Sequence, residues 1–145
     1  MSTETETTEV VETIRYTADV VCIREDGHIL LIERGWPPHQ GKLALPGGHV
    51  DPGETSLAAA AREVLEETGV RIHPADLTRV GIYDAPNRDP RGRYVTVSYR
   101  AVVPTGTTAT AGDDAAAVRW VHPSELPLTS LAFDHATIIA DALNH

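Results

Sequence analysis

The chain has a single cysteine among its 145 residues, Cys22, so an intrachain disulfide and a cysteine-rich zinc module are both excluded. Cys22 lies in the apolar run 20–23, where a buried, inert thiol is expected rather than a nucleophile. The seven histidines are scattered without an HExxH or paired spacing, which argues against a zinc site. No apolar run is long enough to span a bilayer. The opening stretch MSTETETTEVVET has no basic region followed by an apolar core, so a secretory leader is not expected and cytoplasmic residence is. Basic residues are also scarce: 12 Lys and Arg stand against 21 Asp and Glu, for a net charge of −9. That balance excludes non-specific binding to nucleic acid or an anionic membrane. An acidic chain acting on an anionic substrate must bring a metal and a local basic patch of its own.

What remains is enough for one domain, able to bury about two-thirds of its unfolded surface without staples. Residues 1–13, rich in Thr and Glu with little to bury, read as a disordered acidic tail, leaving 14–145 as the folded unit. Residues 16–24 and 28–33 read as Val/Ile-rich strands joined by Asp26-Gly27, a strong hairpin signal. Gly35-Trp36-Pro37-Pro38 forces a loop, and 43–45 extends toward a pair of glycines. Strands are predicted over 79–84, 93–103 and 118–121, and Asp134 is placed to cap a last helix running to about Leu143. Strands around one central helix, with a second helix at the end, imply an α/β protein with a mixed sheet covered on both sides.

The densest information lies between Gly48 and Val70, which fits G-x5-E-x7-R-E-U-x-E-E-x-G-U, U being apolar, without a departure. Chance agreement has odds of roughly 10⁻⁹ per starting position at ordinary residue usage. On a helix turning about 100° per residue, Glu63, Glu66 and Glu67 share one side, while Leu57, Ala60, Ala61, Val64, Leu65 and Thr68 take the other. The apolar side is expected to pack and the acidic side to face solvent. Thr55 suits the N-cap and Gly69 the left-handed C′ position. Carboxylates crowded on one face repel each other until a hard cation sits among them. Magnesium combines one or two carboxylates with waters and substrate phosphates, so the cluster calls for a phosphate-bearing partner. Gly47 and Gly48 let the backbone approach a ligand closely, and the Gly47 carbonyl is a candidate metal ligand.

This stretch resembles the signature of the Nudix hydrolases, and the likeness covers roughly Tyr16 to the C-terminus. The resemblance implies a Nudix-type α/β/α sandwich. It implies Mg²⁺ or Mn²⁺ held by Glu63, Glu66, Glu67 and the Gly47 carbonyl, with Arg62 supporting the acids from the side. Pro86, sixteen positions after Val70, is similar in placement to ADP-ribose pyrophosphatases. Asn-Arg-Asp-Pro-Arg-Gly-Arg at 87–93 and Leu-Ala-Phe-Asp-His at 131–135 resemble stretches of those enzymes and of ADP-ribose-sensing regulators. The substrate implied is a small nucleoside diphosphate linked to another moiety, foremost ADP-ribose, cleaved to AMP and ribose 5-phosphate. Two further readings are a house-cleaning nucleoside triphosphate pyrophosphohydrolase and a non-catalytic ligand-sensing domain. Relatives of this class are commonly dimers, which makes a homodimer an expectation too.

Substrate contacts are expected from Pro86, Arg88, Arg91, Arg93 and Phe133. The arginines concentrate positive charge in an acidic chain and either grip phosphate and ribose oxygens or pair with Asp84 and Asp89. Tyr16, Trp36, Tyr83 and Phe133 are candidates to stack on a base, against roles in core or rim. The general base is either Glu63, fixed on a helix, or a loop acid, Asp113 or Asp114. Relatives that use a loop acid often carry Glu three positions before the tryptophan, whereas Ala117 precedes Trp120 here. Glu63 is the preferred base, and Asp114 the preferred loop acid.

Overall fold

The computed structural model describes residues 9–112, 114–126 and 130–145. Its strands are β1 (Ile14–Arg24), β2 (Ile29–Arg34), β3 (Leu43–Ala44), β4 (Gly47–His49), β5 (Thr78–Tyr83), β6 (Arg93–Val103) and β7 (Ala115–Val121). Helix α1 spans Ser56–Thr68 and α2 spans His135–Leu143. The strands form one mixed sheet in the order β3-β2-β1-β6-β5, with β4 added on β1 and β7 on β2. β1 runs parallel to β6 along its whole length, while the other pairings are antiparallel.

Strand periodicity sorts the core into two layers. On β1, Ala18, Val20 and Cys22 pack with Ala59, Ala60 and Val64 of α1. Their neighbours Val21 and Ile23 turn the other way, onto Ile138, Ile139 and Ala142 of α2. β2 alternates likewise, Leu30 toward α1 and Ile29 and Leu31 toward α2. A helix on each face of a mixed sheet is the expected α/β/α sandwich. Cys22 is wholly buried, and burial pushes its thiol pKa up to about 12, as an inert core residue requires.

Several expectations shift. β7 begins at Ala115, three residues before the predicted strand, because pairing with β2 extends to Ala115 opposite Arg34 across a bulge. The glycine pair, for which no strand is predicted, forms β4, with Gly47 and Gly48 opposite Asp19 and Ala18. Asp134 precedes α2 but makes no side-chain cap, since its carboxylate is taken up by Arg88. Two short 3₁₀ turns, Pro74–Asp76 and Pro123–Glu125, were not foreseen. Residues 1–8 of the expected tail, and Asp113, lie outside the described residues. Among those described, no helix is long and apolar enough to cross a membrane.

One feature of the sheet positions the site. Along the same edge β1 pairs first with β4, through Thr17–Asp19, and then with β2, at Ile23 opposite Ile29. Between these contacts β1 and β2 part. The sheet splits there, and a cleft of about 360 Å³ opens at the parting.

Candidate active site

Helix α1 forms one wall of the cleft. Thr55 accepts a hydrogen bond from the Ala58 N–H, and Gly69 closes the helix at φ 73°, so both predicted ends are as expected. The acidic side is not solvent-facing, however. Glu66 keeps 56% of its side-chain exposure, but Glu63 keeps only 16% and Glu67 is buried. β4 and the 109–112 segment cover that side: Thr110 and Gly112 donate their N–H groups to the Thr68 and Glu67 carbonyls. Helical periodicity separates two faces but cannot say that both are covered.

Glu67 lies deepest. Its Oε1 accepts the Gly47 N–H at 2.6 Å, yet burial dominates and raises its pKa from 4.5 to about 8, with Glu63 and Asp114 adding repulsion. Burial also raises the Glu63 pKa, against the opposing pull of Arg62. The Glu63 carboxyl rests against Gly48: a Cβ there would stand 2.5 Å from its carboxyl carbon, so any other residue would have to displace the carboxyl or the strand. Arg62 ties the strip together. Its guanidinium donates to Glu54 twice at 2.8 Å, to Glu63 at 2.8 Å, to Glu66 at 2.9 Å and to the His49 carbonyl at 3.0 Å.

These residues fit a hard divalent cation. A desolvated carboxylate with a raised pKa and two acidic neighbours gains most from one. Among the described residues no three acidic, histidine or cysteine side chains already converge as a cage. Gly47 meets the strip through its N–H, which Glu67 accepts.

The opposite wall is basic and aromatic. Arg34 lies 4.8 Å from the Phe133 ring centre and Arg91 5.7 Å from it, while Arg91 also stands 4.8 Å over Tyr94. Burial lowers the Arg34 pKa and the nearby Arg91 lowers it further, so an anion between them would be welcome. Arg91 is fixed by Asp89, which accepts from its side chain at 3.1 and 2.7 Å. Arg88 is held in a bidentate pair with Asp134 at 2.9 and 2.7 Å, its side chain 5% exposed. Phe133 adopts φ 53°, an uncommon conformation for a non-glycine residue, and this turn aims its ring into the cleft.

Of the expected residues, Gly47, Glu63, Glu67, Arg88, Arg91, Asp114, Phe133 and Trp36 line the cleft together. Arg62 and Glu66 do not line it: Arg62 reaches the lining through Glu63, and Glu66 is exposed. Pro86 is exposed outside it, and Arg93 pairs with Glu12 at 3.0 Å rather than reaching the cleft. Tyr83 is also diverted: its hydroxyl donates to Asp141 at 2.7 Å. Asp84 is not the partner of these arginines; Asp89 and Asp134 are. Sequence reasoning missed Arg34, Tyr94, Asp19 and His135. A carboxylate between Ala18 and Val20 in an otherwise apolar strand was the signal available for Asp19.

The family model described as NUDIX domain matches residues 13–142. An ADP-ribose pyrophosphatase of Methanocaldococcus jannaschii is 43% identical over 119 residues, spanning 82% of this chain and 68% of that protein. A putative 8-oxo-dGTP diphosphatase of Bacillus subtilis is 36% identical over 111 residues, or 77% and 68% of the two chains. Among solved structures, the NUDIX domain of Shewanella oneidensis NrtR, complexed with ADP ribose, superposes with a TM-score of 0.84 at 26% identity, covering 92% of this chain and 89% of that one.

Proposed function

From the premise that this chain belongs to the Nudix family, we propose that it is a Mg²⁺- or Mn²⁺-dependent hydrolase of ADP-ribose, yielding AMP and ribose 5-phosphate. The observation that carries this reading is the facing of two walls across one cleft: the acids Glu63 and Glu67 with the glycine pair on one side, Arg34 and Arg91 around Phe133 on the other. The first wall suits a metal-bound diphosphate, and the second suits the remaining anionic and aromatic groups of such a substrate. The 43% identity to the Methanocaldococcus pyrophosphatase points the same way.

Glu63, Glu66, Glu67 and the Gly47 carbonyl would hold the metal, which supplies charge neutralisation at phosphorus and a lowered pKa for water. In hydrolysis, water oxygen bonds to one phosphorus, the bridging P–O bond breaks, and a side chain takes the water proton. Glu63 is assigned as that base. Burial raises its proton affinity above that of an exposed glutamate, while Arg62 and Gly48 fix its carboxyl. Asp114 lines the same cleft and is the alternative. Arg91, Arg34 and Phe133 bind and orient the substrate.

A product assay across ADP-ribose, NADH, diadenosine polyphosphates and nucleoside triphosphates tests the proposal. Release of AMP and ribose 5-phosphate, lost in excess chelator and restored by Mg²⁺, is the expected result; turnover undiminished by chelator sinks the metal mechanism. The Bacillus relative supports a second reading, a modified nucleoside triphosphate as substrate, and pyrophosphate release in the same assay would select it. Binding of ADP-ribose without turnover of any substrate would select a sensing domain. The proposed homodimer is checked by sedimentation.

A further inference from the structure

The floor of the cleft carries polar groups that the hydrolytic reading leaves unused. Asp19 is buried in β1, and its carboxylate accepts hydrogen bonds from the Thr96 hydroxyl at 3.1 Å and from the Ser98 hydroxyl, both on β6. Thr96 and Ser98 face the same layer because β1 and β6 run parallel in register, Thr17 beside Thr96 and Asp19 beside Ser98. No Lys or Arg makes a salt bridge to this carboxylate among the described residues. Burying an anion on hydroxyls alone is costly, and an apolar residue would serve the fold better.

His135, the first residue of α2, stands opposite. Its Nδ1 accepts the Leu45 N–H at 2.9 Å, which leaves the ring proton on Nε2. Burial lowers its pKa to about 3, so the ring stays neutral and keeps that tautomer at physiological pH. Nε2 lies 3.9 Å from Asp19 Oδ2, too far for a direct hydrogen bond, and both residues line the cleft. A fixed donor and a fixed acceptor thus face the same space without satisfying each other. A hydroxyl oxygen between them can accept from Nε2–H and donate to the carboxylate, which a phosphate oxygen, lacking a proton, cannot do.

We infer that Asp19 and His135 form a subsite that reads a hydroxyl of the substrate's terminal ribose. The inference rests on the ADP-ribose reading and says which residues recognise the sugar. The floor abuts the metal strip, since Asp19 is the cross-strand partner of Gly47, so it receives the group attached directly to the diphosphate. Phe133 packs beside His135, with ring centres 5.5 Å apart, so the flat surface left for a base is Trp36, 66% exposed at the mouth. The sugar therefore goes to the floor and the base to the mouth.

The test uses Asp19→Asn and His135→Asn, the second chosen because the asparagine oxygen can still accept from Leu45 while the Nε2 donor is lost. Thermal melting establishes that each variant folds. KM for ADP-ribose should rise roughly 10- to 100-fold, as for loss of a hydrogen bond to a charged group, with kcat falling less than about threefold. Competitive inhibition by ribose 5-phosphate should weaken in parallel while inhibition by AMP stays as in the wild type. Equal weakening of both inhibitors, unchanged constants, or a fall in kcat at constant KM would overturn the assignment. If neither variant folds, the wild-type protein decides: ribose 5-phosphate should inhibit at least about tenfold more tightly than methyl phosphate, which lacks the sugar, and parity overturns the subsite. Failure of the wild type to hydrolyse ADP-ribose removes the functional reading and this inference together. Hydrolysis with parity between the two inhibitors removes the inference alone.

Discussion

Glu63 and Asp114 are competing residues with separable signatures. Glu63→Gln keeps the shape against Gly48 and the contact with Arg62 but cannot take a proton, so kcat should fall by at least ~10²-fold. Asp114→Asn should cost less than tenfold if Glu63 is the base. Collapse of kcat in Asp114→Asn, together with weakened metal affinity but retained chemistry in Glu63→Gln, would reverse the assignment. Arg91 carries a different expectation. Its guanidinium lies beside Tyr94 and Phe133 while its partner Asp89 is almost wholly buried, so Arg91→Ala removes a ligand contact and also strands a carboxylate. KM for ADP-ribose should rise more than kcat falls, and the melting temperature should drop. Unchanged kinetics with a lower melting temperature would make Arg91 a purely structural partner of Asp89.

At the level of elements, α1 and β4 act as one unit because the helix acids and the glycine strand leave no room between them. Gly48→Ala puts a methyl group into the Glu63 carboxyl, so the acid must swing aside or the strand must move. Activity should fall at least ~10²-fold, and Mn²⁺ titration should show weaker binding because the displaced Glu63 is among the proposed ligands. Wild-type activity in this variant would show that the position of Glu63 is unimportant. The helix and its caps were legible in the sequence because periodicity and capping chemistry are local, and the hairpin at Asp26-Gly27 was legible for the same reason. The burial of Glu67 was not, since the covering segment 109–112 approaches from forty residues away and its contacts are backbone to backbone. The fate of the arginines was only half legible. Asp89 is adjacent to Arg91 in sequence, but Asp134 meets Arg88 only through the fold, and Arg93 sits on the strand flank where it meets Glu12. Asp134 could not both cap α2 and hold Arg88, and the stronger charge-assisted pair prevailed.

For the molecule as a whole, the buried acids make stability depend on pH in a direction that can be stated. Glu67 has its pKa raised from 4.5 to about 8 by burial, and Asp19 from 3.8 to about 6 by the same cause. The folded protein therefore binds more protons than the unfolded chain across these windows, and stability falls as pH rises through them. Without metal, the melting temperature should decline between about pH 4 and 8 on account of these two groups. Mg²⁺ should reverse the Glu67 part, stabilising more at pH 8 than at pH 6, and Glu67→Gln should flatten the dependence while lowering kcat. A metal-free melting temperature that climbs steadily to pH 8, in both wild type and Glu67→Gln, would contradict this. The parting of β1 from β2 bears on something else, the measuring of length. Because β4 occupies the vacated edge in strict register, Gly47 opposite Asp19, the ladder behaves as a ruler whose zero is the acidic strip and whose first graduation is the cleft floor. A slip of β4 by one residue would set Ala18 or Val20 beside Gly47 in place of Asp19, while β6 holds the Asp19 carboxylate on the floor. In the proposed reading, the reach from the bond to be cut to the group beyond it is set by this backbone pairing, which side-chain substitutions in the surrounding loops would leave undisturbed.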